Sequence, residues 1–396
     1  MRILTLCYEY PPLGGGGGRM AKAIAEQLTK RGHDVRVQTA GMRHLPKEEK
    51  LGGVQIFRAP SFRRREDRCS VAEMGLYCLT SFRPALRHCR QWRPDVIHAH
   101  FAMPTGLLAW AITRRTRIPY VVTAHLGDVP GGTPEQTDRL FRWVGPVAAR
   151  VWRDAAAATA VSSFVQELAE RAYSRRVVRI LNGVDLSQGK TPSLEVPKKR
   201  RLIFVGRFNP QKCPLFLIDV LGCLAQLDWR LTMVGDGLLF NAARRQARFY
   251  GLEDRITFAG WLTNDEVQSA LSDADLLLMP SNFEGLPLAA IEALQHGLAI
   301  VTSDIPGIRD VVQDEVNGLR LPLGNKEAWI ERLRGLLTDE VRLAQMKAAS
   351  WKNAAAFDLE RITRDYEKVL QAAVQPSDPP TTRSQTGQAL KGDGRA

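Results

Sequence analysis

Two glutamates separated by seven residues, Glu284 and Glu292, lie in a stretch whose residue types suit the recognition of hydroxyl groups. A carboxylate accepts hydrogen bonds from two neighbouring hydroxyls at once. Glu292 stands among alanine, isoleucine and leucine residues, and a buried carboxylate needs a polar partner. The stretch by itself leaves a second interpretation open, in which Glu284 is a solvated loop acid and Glu292 an acid on a helix surface.

The elements predicted around these acids are a buried strand, a turn and a helix. The apolar run 274–279 predicts the strand, Pro287 suits the first position of the helix, and Gly297 suits its C-cap. A helix N-terminus presents unpaired N–H groups and a positive dipole, which attract phosphate or sugar oxygens. The backbone donors expected there are those of Gly285, Leu286 and Leu288.

Two cations follow another predicted strand, which covers residues 201–206. Arg207 stands at the strand end and Lys212 five residues later. An arginine offers a planar fork and a lysine a point charge to phosphate oxygens, so the pair predicts a diphosphate site. The alternative is two surface cations beside a turn.

The beginning of the chain has the pattern of a nucleotide-binding fold. A predicted strand over 2–7 is followed by five consecutive glycines, 14–18, and by a helix that ends near Gly32. Glycines let the backbone approach a ligand closely, which makes Gly15 and Gly16 candidate ligand contacts. A floppy surface loop is the alternative.

Histidines and an aspartate mark the ends of two further predicted strands. His125 and Asp128 follow the strand that begins near Ile118, and ligands of open α/β sheets gather at the carboxyl ends of strands. His98 and His100 share one strand face. No third metal ligand stands at recognisable spacing, which favours packing at the cleft edge over a metal site.

The sequence around Glu284 and Glu292, Phe-Glu-Gly-Leu-Pro, resembles the signature of glycosyltransferase family 4. These are retaining enzymes of the GT-B fold, in which two Rossmann-like α/β domains face an interdomain cleft. The Arg207/Lys212 spacing and the turn Asn182-Gly-Val-Asp185 are similar to the same family. The resemblance extends over roughly residues 1–370 and implies an α/β protein with this fold.

The resemblance implies a role for each candidate residue. Glu292 would bind the ribose and Glu284 the transferred sugar, Asp128 would help to place the acceptor, and the glycine-rich loop would contact donor phosphate or acceptor. Trp261 and Leu262 would flank the nucleotide base. The residues assigned to catalysis by the resemblance are His125, Glu284, Arg207 and Lys212.

The same resemblance and the local composition predict five segments. They are an acceptor-side domain at 1–187, a linker at 188–200, a nucleotide-sugar-binding domain at 201–355, a helix crossing back to the first domain at 356–375, and a disordered tail at 376–396.

The charge is concentrated in one part of the chain. The 396 residues carry a net charge of +13, and residues 58–93 contain nine arginines against three acids, a net charge of +6. An anionic membrane surface, an anionic acceptor and a solvated basic face are all compatible with this segment. No zinc-finger, RRM or KH signature supports nucleic acid as a partner. The sequence has no apolar run long enough to predict a transmembrane helix. Six cysteines without a Cys-x-x-Cys pair favour a cytoplasmic enzyme with reduced thiols, and the basic segment is compatible with peripheral attachment at the inner face of the cell membrane.

The function predicted from these residues is retaining transfer of a sugar from a nucleoside diphosphate sugar, with UDP- or GDP-sugars favoured, to a glycan, lipid-linked or small-molecule acceptor. No metal or other cofactor is expected, because two cations already suit the diphosphate. The alternatives are another GT-B nucleotide-sugar enzyme such as an epimerase, a dinucleotide oxidoreductase, or a non-catalytic nucleotide-sugar-binding protein. No lysine-anchored pyridoxal site is evident, which disfavours a phosphorylase.

Overall fold

A computed structural model of the chain describes residues 1–66, 68–133, 137, 139–188 and 193–375. The first half forms an eight-stranded sheet in the order β3-β4-β2-β1-β5-β6-β7-β8, parallel except for the β3–β4 pair. Its strands are β1 (Arg2–Cys7), β2 (Asp34–Gly41), β3 (Glu48–Leu51), β4 (Val54–Pro60), β5 (Val96–His100), β6 (Tyr120–Ala124), β7 (Ala157–Ala160) and β8 (Val178–Arg179). Its helices are α1 (Gly16–Lys30), α2 (Val71–Gln91), α3 (Thr105–Thr116), α4 (Arg139–Asp154) and α5 (Ser163–Tyr173).

The second half forms a six-stranded parallel sheet in the order β11-β10-β9-β12-β13-β14. Its strands are β9 (Arg200–Val205), β10 (Trp229–Val234), β11 (Ile256–Gly260), β12 (Leu276–Met279), β13 (Ala299–Ser303) and β14 (Gly318–Leu321). The remaining helices are α6 (Pro214–Gly222), α7 (Phe240–Phe249), α8 (Asn264–Ser272), α9 (Leu288–Gln295), α10 (Lys326–Thr338), α11 (Glu340–Ala354) and α12 (Leu359–Val374).

Both sheets reverse their strand order at one place, which is the Rossmann arrangement predicted from the sequence. The reversal lies between β1 and β5 in the first sheet and between β9 and β12 in the second. Loops that leave the carboxyl ends of strands on either side of such a reversal leave a crevice, where ligands of open α/β sheets bind. Most candidate residues follow β1, β6, β9 and β12, so the topology brings them toward these crevices, and Trp261 and Leu262 follow β11 at the edge of the second sheet.

A buried ion pair secures the second domain away from the crevices. Lys347 of α11 and Asp275, which precedes β12, are almost fully buried, and Nζ lies 2.8 Å from Oδ1. Arg201 donates to the same carboxylate. Although burial alone would raise the pKa of Asp275, these hydrogen bonds hold it below its usual value.

The chain returns to the first domain through a break in its last helical region. The sequence predicted one helical region from 341 to about 374, but α11 ends at Ala354 and α12 begins only at Leu359. The break arises because backbone groups at 357–359 form hydrogen bonds with Val184, near the end of the first domain, instead of continuing the helix. Val184 N donates to Phe357 O, and Leu359 N donates to Val184 O. Asp358 then caps α12 by accepting from the Arg361 N–H. After this break, α12 packs against α1 and the first sheet.

The predicted linker and tail lie partly or wholly outside the part of the chain that the structure describes. Four residues of the predicted linker, 189–192, and the whole predicted tail, 376–396, lie outside the described residues. Within the described part of the chain, no helix combines the length and apolarity needed to cross a membrane.

Candidate active site

A cavity of about 1820 Å³ lies between the two domains, and every residue predicted for the site lines it. Binding sites for one small ligand usually measure about 300–1,000 Å³, so this cleft has room for two substrates. The lining residues that the sequence singled out are Gly15, Gly16, His125, Asp128, Arg207, Lys212, Trp261, Leu262, Glu284, Gly285, Leu286, Leu288 and Glu292.

Glu284 and Lys212 form a buried ion pair at the centre of the cleft. Their side chains are 8% and 14% exposed, and Nζ donates directly to Oε1. The Glu284 backbone is fixed from both sides by close packing at glycines. A Cβ on Gly285 would stand 2.1 Å from the His125 carbonyl oxygen, and one on Gly307 would stand 1.8 Å from the Glu284 carbonyl oxygen. Any side chain at these two positions would clash with backbone oxygens, so only glycine permits this conformation of the Glu284 loop.

Glu292 is also buried and also has a cationic partner. Arg19, from the first domain, donates to Oε1, and Gln268 Nε2 donates to the same oxygen over 3.2 Å. The second oxygen, Oε2, is buried without a partner among the described residues. A buried acceptor without a donor is costly, so this atom is available to a ligand hydroxyl.

Two helix N-termini without side-chain caps meet in the cleft. Pro287 precedes α9 and Gly15 precedes α1, and neither provides a capping side chain. The two ends are neighbours, because a Cβ on Gly16 would lie 3.6 Å from a methyl group of Leu288. Their first-turn N–H groups therefore need other acceptors, and both helix dipoles favour an anion in the space between.

The glycine run is more ordered than a loop of glycines alone suggests. Gly16 to Gly18 form the first turn of α1, so the predicted loop is shorter than the run. A Cβ at Gly17 would approach the Phe101 ring to 2.5 Å, and one at Gly18 would approach the Glu9 carbonyl oxygen to 2.4 Å. These glycines permit the helix end to lie against the neighbouring strand ends.

Comparison with known proteins agrees with this geometry. The model for "Glycosyltransferase Family 4" matches residues 14–188, and that for "Glycosyl transferases group 1" matches residues 189–356. The two matches together span both domains and the cleft. The chain belongs to the family 4-like GT-B glycosyltransferases.

Individual relatives are similar over almost the whole chain. A glycogen synthase of Mycobacterium tuberculosis is 26% identical over 414 aligned positions, covering 97% of each chain. Among solved structures, sucrose-phosphate synthase of Thermosynechococcus elongatus has a TM-score of 0.79 at 19% identity, covering 93% of this chain and 98% of that one. Anabaena HepE in complex with UDP-glucose has a TM-score of 0.75 at 20% identity, covering 94% and 100%. At these identities the two structures show the shared GT-B fold.

His125 of the glycosyltransferase is a neutral, tightly enclosed imidazole. Burial lowers its pKa to about 3, and its ring lies 4.4 Å from that of Phe101. His125 Nε2 and His100 Nδ1 are 3.3 Å apart. A neutral imidazole can donate one hydrogen bond and accept one. His125 can therefore contact a sugar without bringing a positive charge to it.

Asp128 shapes the loop that carries His125. Its carboxylate accepts the N–H groups of Ala102, His125 and Leu126 over 2.6–2.9 Å. Burial raises the pKa of Asp128, and these backbone donors oppose the rise. The aspartate lines the cleft, but its hydrogen bonds give it a positioning role that the sequence did not indicate.

The other residues predicted to bind the donor stand at the carboxyl ends of two strands of the second sheet. Arg207 follows β9, and Trp261 and Leu262 follow β11. Trp261 is 58% exposed, so its ring faces open space at the predicted base position. Each histidine considered for a metal has one ring nitrogen engaged, because His98 Nε2 lies 2.8 Å from Thr123 Oγ1 and His100 Nδ1 lies 3.3 Å from His125 Nε2. No group of three His, Cys, Asp or Glu residues within the described ranges is arranged to hold a metal ion.

The basic segment 58–93 divides into buried and exposed arginines. Arg58 is buried and paired with Glu49, and Arg63 is buried and donates to backbone carbonyls. These two therefore stabilise the first domain and do not belong to a surface patch. Exposed arginines remain at positions 64, 65, 68, 83, 87, 90 and 93.

Several contributors to the cleft were not predicted. Arg19 joins the domains by donating to Glu292 and, over 2.7 Å, to Asn264. Asn182 Nδ2 donates to the Leu286 carbonyl oxygen over 2.9 Å and so supports the loop before α9. In the sequence, only the position of Arg19 directly after the glycine run indicated that it could reach the cleft. Nothing in the sequence indicated that it would pair with Glu292.

Proposed function

We propose that this glycosyltransferase moves a sugar from a nucleoside diphosphate sugar, with a UDP-sugar as the first candidate, to an acceptor hydroxyl with retention of anomeric configuration. Support for the donor class comes from the cleft chemistry. Support for the nucleotide comes from the similar fold of HepE, a protein solved in complex with UDP-glucose.

The observation that carries the proposal is the meeting of two uncapped helix N-termini with Arg207 and Lys212 in one cleft, next to two buried carboxylates. The helix ends and the cations suit a diphosphate. The carboxylates suit sugar hydroxyls on either side of it. A nucleoside diphosphate sugar has these groups in this order: ribose, diphosphate, sugar.

In the proposed reaction the anomeric carbon loses its bond to the diphosphate as it forms a bond to the acceptor oxygen on the same face. The acceptor proton passes to an oxygen of the departing phosphate. Arg207, Lys212 and the helix ends stabilise the charge on the leaving group. Glu284 and neutral His125 hold the sugar, and Glu292 holds the ribose. No metal ion or other cofactor is part of this proposal.

Donor binding requires the two ion pairs of the cleft to rearrange. Lys212 now pairs with Glu284, and Arg19 with Glu292. Ribose hydroxyls that bind Glu292 would compete with Arg19, whose side chain is 43% exposed and can reorient. Lys212 would exchange part of its contact with Glu284 for a phosphate oxygen.

A panel of UDP-, GDP- and ADP-sugars tests the proposal. We expect one nucleotide class to raise the melting temperature and to be hydrolysed slowly in the absence of acceptor. Lys212→Met should lose both effects. A protein that no nucleoside diphosphate sugar stabilises would contradict the proposal, and donor binding without turnover in any acceptor mixture would favour the non-catalytic alternative.

A further inference from the structure

One part of the cleft is apolar and extends away from the donor residues. It lies at the N-terminal halves of α2, α3 and α4. Among the described residues that these three helices contribute to the cavity lining, none is charged. Its principal side chains are Met74, Leu79, Met103, Leu107, Leu140 and Val144.

This apolar groove is continuous with the place where the sugar would be transferred. The Phe101 ring packs on His125, and Met103 follows two residues later along the same wall. A molecule whose hydroxyl reaches the transferred sugar near His125 would therefore pass its remaining part along the groove. The groove belongs to the first domain, opposite the donor residues.

The mouth of the groove exposes large apolar side chains. Val71 is 58% exposed and Leu79 75%, and Trp143, which is 84% exposed, lies on α4 outside the cavity lining. Val71 and Leu79 also line the cavity. Exposed apolar side chains grouped beside a cleft mark a binding surface more often than ordinary solvent contact, and an exposed tryptophan on α4, the helix that also supplies Leu140 and Val144, suits the boundary between water and lipid.

Positive charge accompanies the apolar surface. Arg139 and Arg142 are exposed in the same turns of α4 that supply Leu140 and Val144. Arg64 is exposed beside the first turn of α2, where its backbone N–H donates to Glu73. The first turn of α4 contains no acid, whereas that of α2 contains Glu73, whose carboxylate accepts the backbone N–H groups of Arg64 and Ser70. An occupant with a hydrocarbon part and an anionic group would match both features.

We propose that the acceptor is an amphipathic lipid, with its hydroxyl-bearing anionic head in the cleft and its hydrocarbon chain in the groove between α2 and α4. This inference rests on the proposed function, because it names the substrate that receives the sugar. A glycan acceptor would need polar side chains along its path, and the groove offers apolar ones. Each methylene group that the groove buries should tighten binding by about fourfold.

Gly75 provides a direct way to fill the groove. It lines the groove on α2, and a Cβ built on it meets no atom within 4 Å. Gly75→Leu therefore adds a side chain to open space, and leucine favours a helix over glycine by roughly 1 kcal/mol. Gly145→Leu is the matched control, because Gly145 also has no neighbour within 4 Å and lies on α4 outside the cavity lining.

The test measures binding of butyl, hexyl and octyl phosphate, below their micelle concentrations, by calorimetry. Glycerol phosphate serves as a head group without a chain. We expect the Kd to fall with chain length by about fourfold per methylene, Gly75→Leu to weaken octyl phosphate by tenfold or more, and Gly145→Leu to leave it unchanged. Equal Kd values for glycerol phosphate and octyl phosphate, or unchanged octyl phosphate binding in Gly75→Leu, would overturn the lipid assignment.

Stabilisation by the donor panel is measured on the same three proteins. If a nucleoside diphosphate sugar binds and alkyl phosphates do not, the lipid inference fails while the proposed function stands. If alkyl phosphates bind and no nucleoside diphosphate sugar does, the groove is a lipid site and the proposed transferase function fails.

Discussion

Separating Lys212 from Glu284 should have a large effect, because the pair is buried in the cleft. The two side chains are 14% and 8% exposed. Removing one partner of a buried pair leaves the other charge uncompensated, at about 3–5 kcal/mol. Glu284→Gln and Lys212→Met keep the approximate volume of each side chain. Each should therefore lower the free energy of unfolding by about this amount, which for a chain of this length corresponds to a melting temperature lower by about 5 °C.

The double variant distinguishes pairing from general damage. With both charges removed no buried charge is left alone, so we expect Glu284→Gln/Lys212→Met to be more stable than the sum of the single losses by several kcal/mol. Urea unfolding of the four proteins measures this coupling. Strictly additive losses would refute the buried pair, and single variants as stable as the wild type would show that the acid is solvated.

The nucleotide links this stability effect to function. In Glu284→Gln, a bound diphosphate offers Lys212 a new anionic partner, so UDP should restore part of the lost stability. Lys347→Met is the matched control: it breaks the buried pair with Asp275, away from the cleft lining, and UDP should not compensate for it selectively. Glu284→Gln should also lower kcat by a factor that corresponds to about 2–4 kcal/mol, as for other preorganised polar contacts.

Four further predictions address the other parts of the site. Glu292→Gln should mainly raise the donor KM, because the ribose changes little during transfer; an effect on kcat alone would contradict this. Burial lowers the pKa of His125 from 6.5 to about 3. Between these pH values the unfolded chain binds a proton at His125 and the folded chain does not, so the free energy of unfolding should fall as the pH falls from 6.5 toward 3. For the same reason kcat/KM should show no His125 ionisation near pH 6.5. EDTA should leave turnover unchanged, and restoration of lost activity by Mn²⁺ or Mg²⁺ would count against a metal-free mechanism. Binding to anionic vesicles through the exposed arginines of 58–93 should weaken as salt rises, whereas equal binding to neutral vesicles would exclude the electrostatic contribution.

The sequence indicated those parts of the site that depend on local patterns. The strand, turn and helix around Glu284 follow from an apolar run, Gly285 and Pro287, and the structure has them in that order. Alternating strands and helices, together with the family resemblance, predicted two Rossmann-like domains, which the sheet orders confirm.

Features that depend on contact between distant segments could not be predicted from local sequence patterns. Arg19 lies 273 residues before Glu292 in the chain, and no local pattern specifies that pair. The break before α12 exists because backbone groups near Asp358 pair with Val184, although the sequence from 341 to 374 is helical in its composition. Arg58 and Arg63 are likewise buried because carboxylate and carbonyl oxygens from other segments accept their hydrogen bonds. The composition of 58–93 shows only that they are charged, so it could not predict their burial.

The central claim is that this cleft transfers a sugar from a nucleoside diphosphate sugar with retention. Proton NMR of the reaction with the donor identified by the panel tests it most directly, because the anomeric coupling constant of the transferred sugar reports its configuration, and a glycosidic product does not mutarotate. The account predicts that the product has the anomeric configuration of the donor and that Lys212→Met forms far less of it. A first-formed product of inverted configuration would contradict the account.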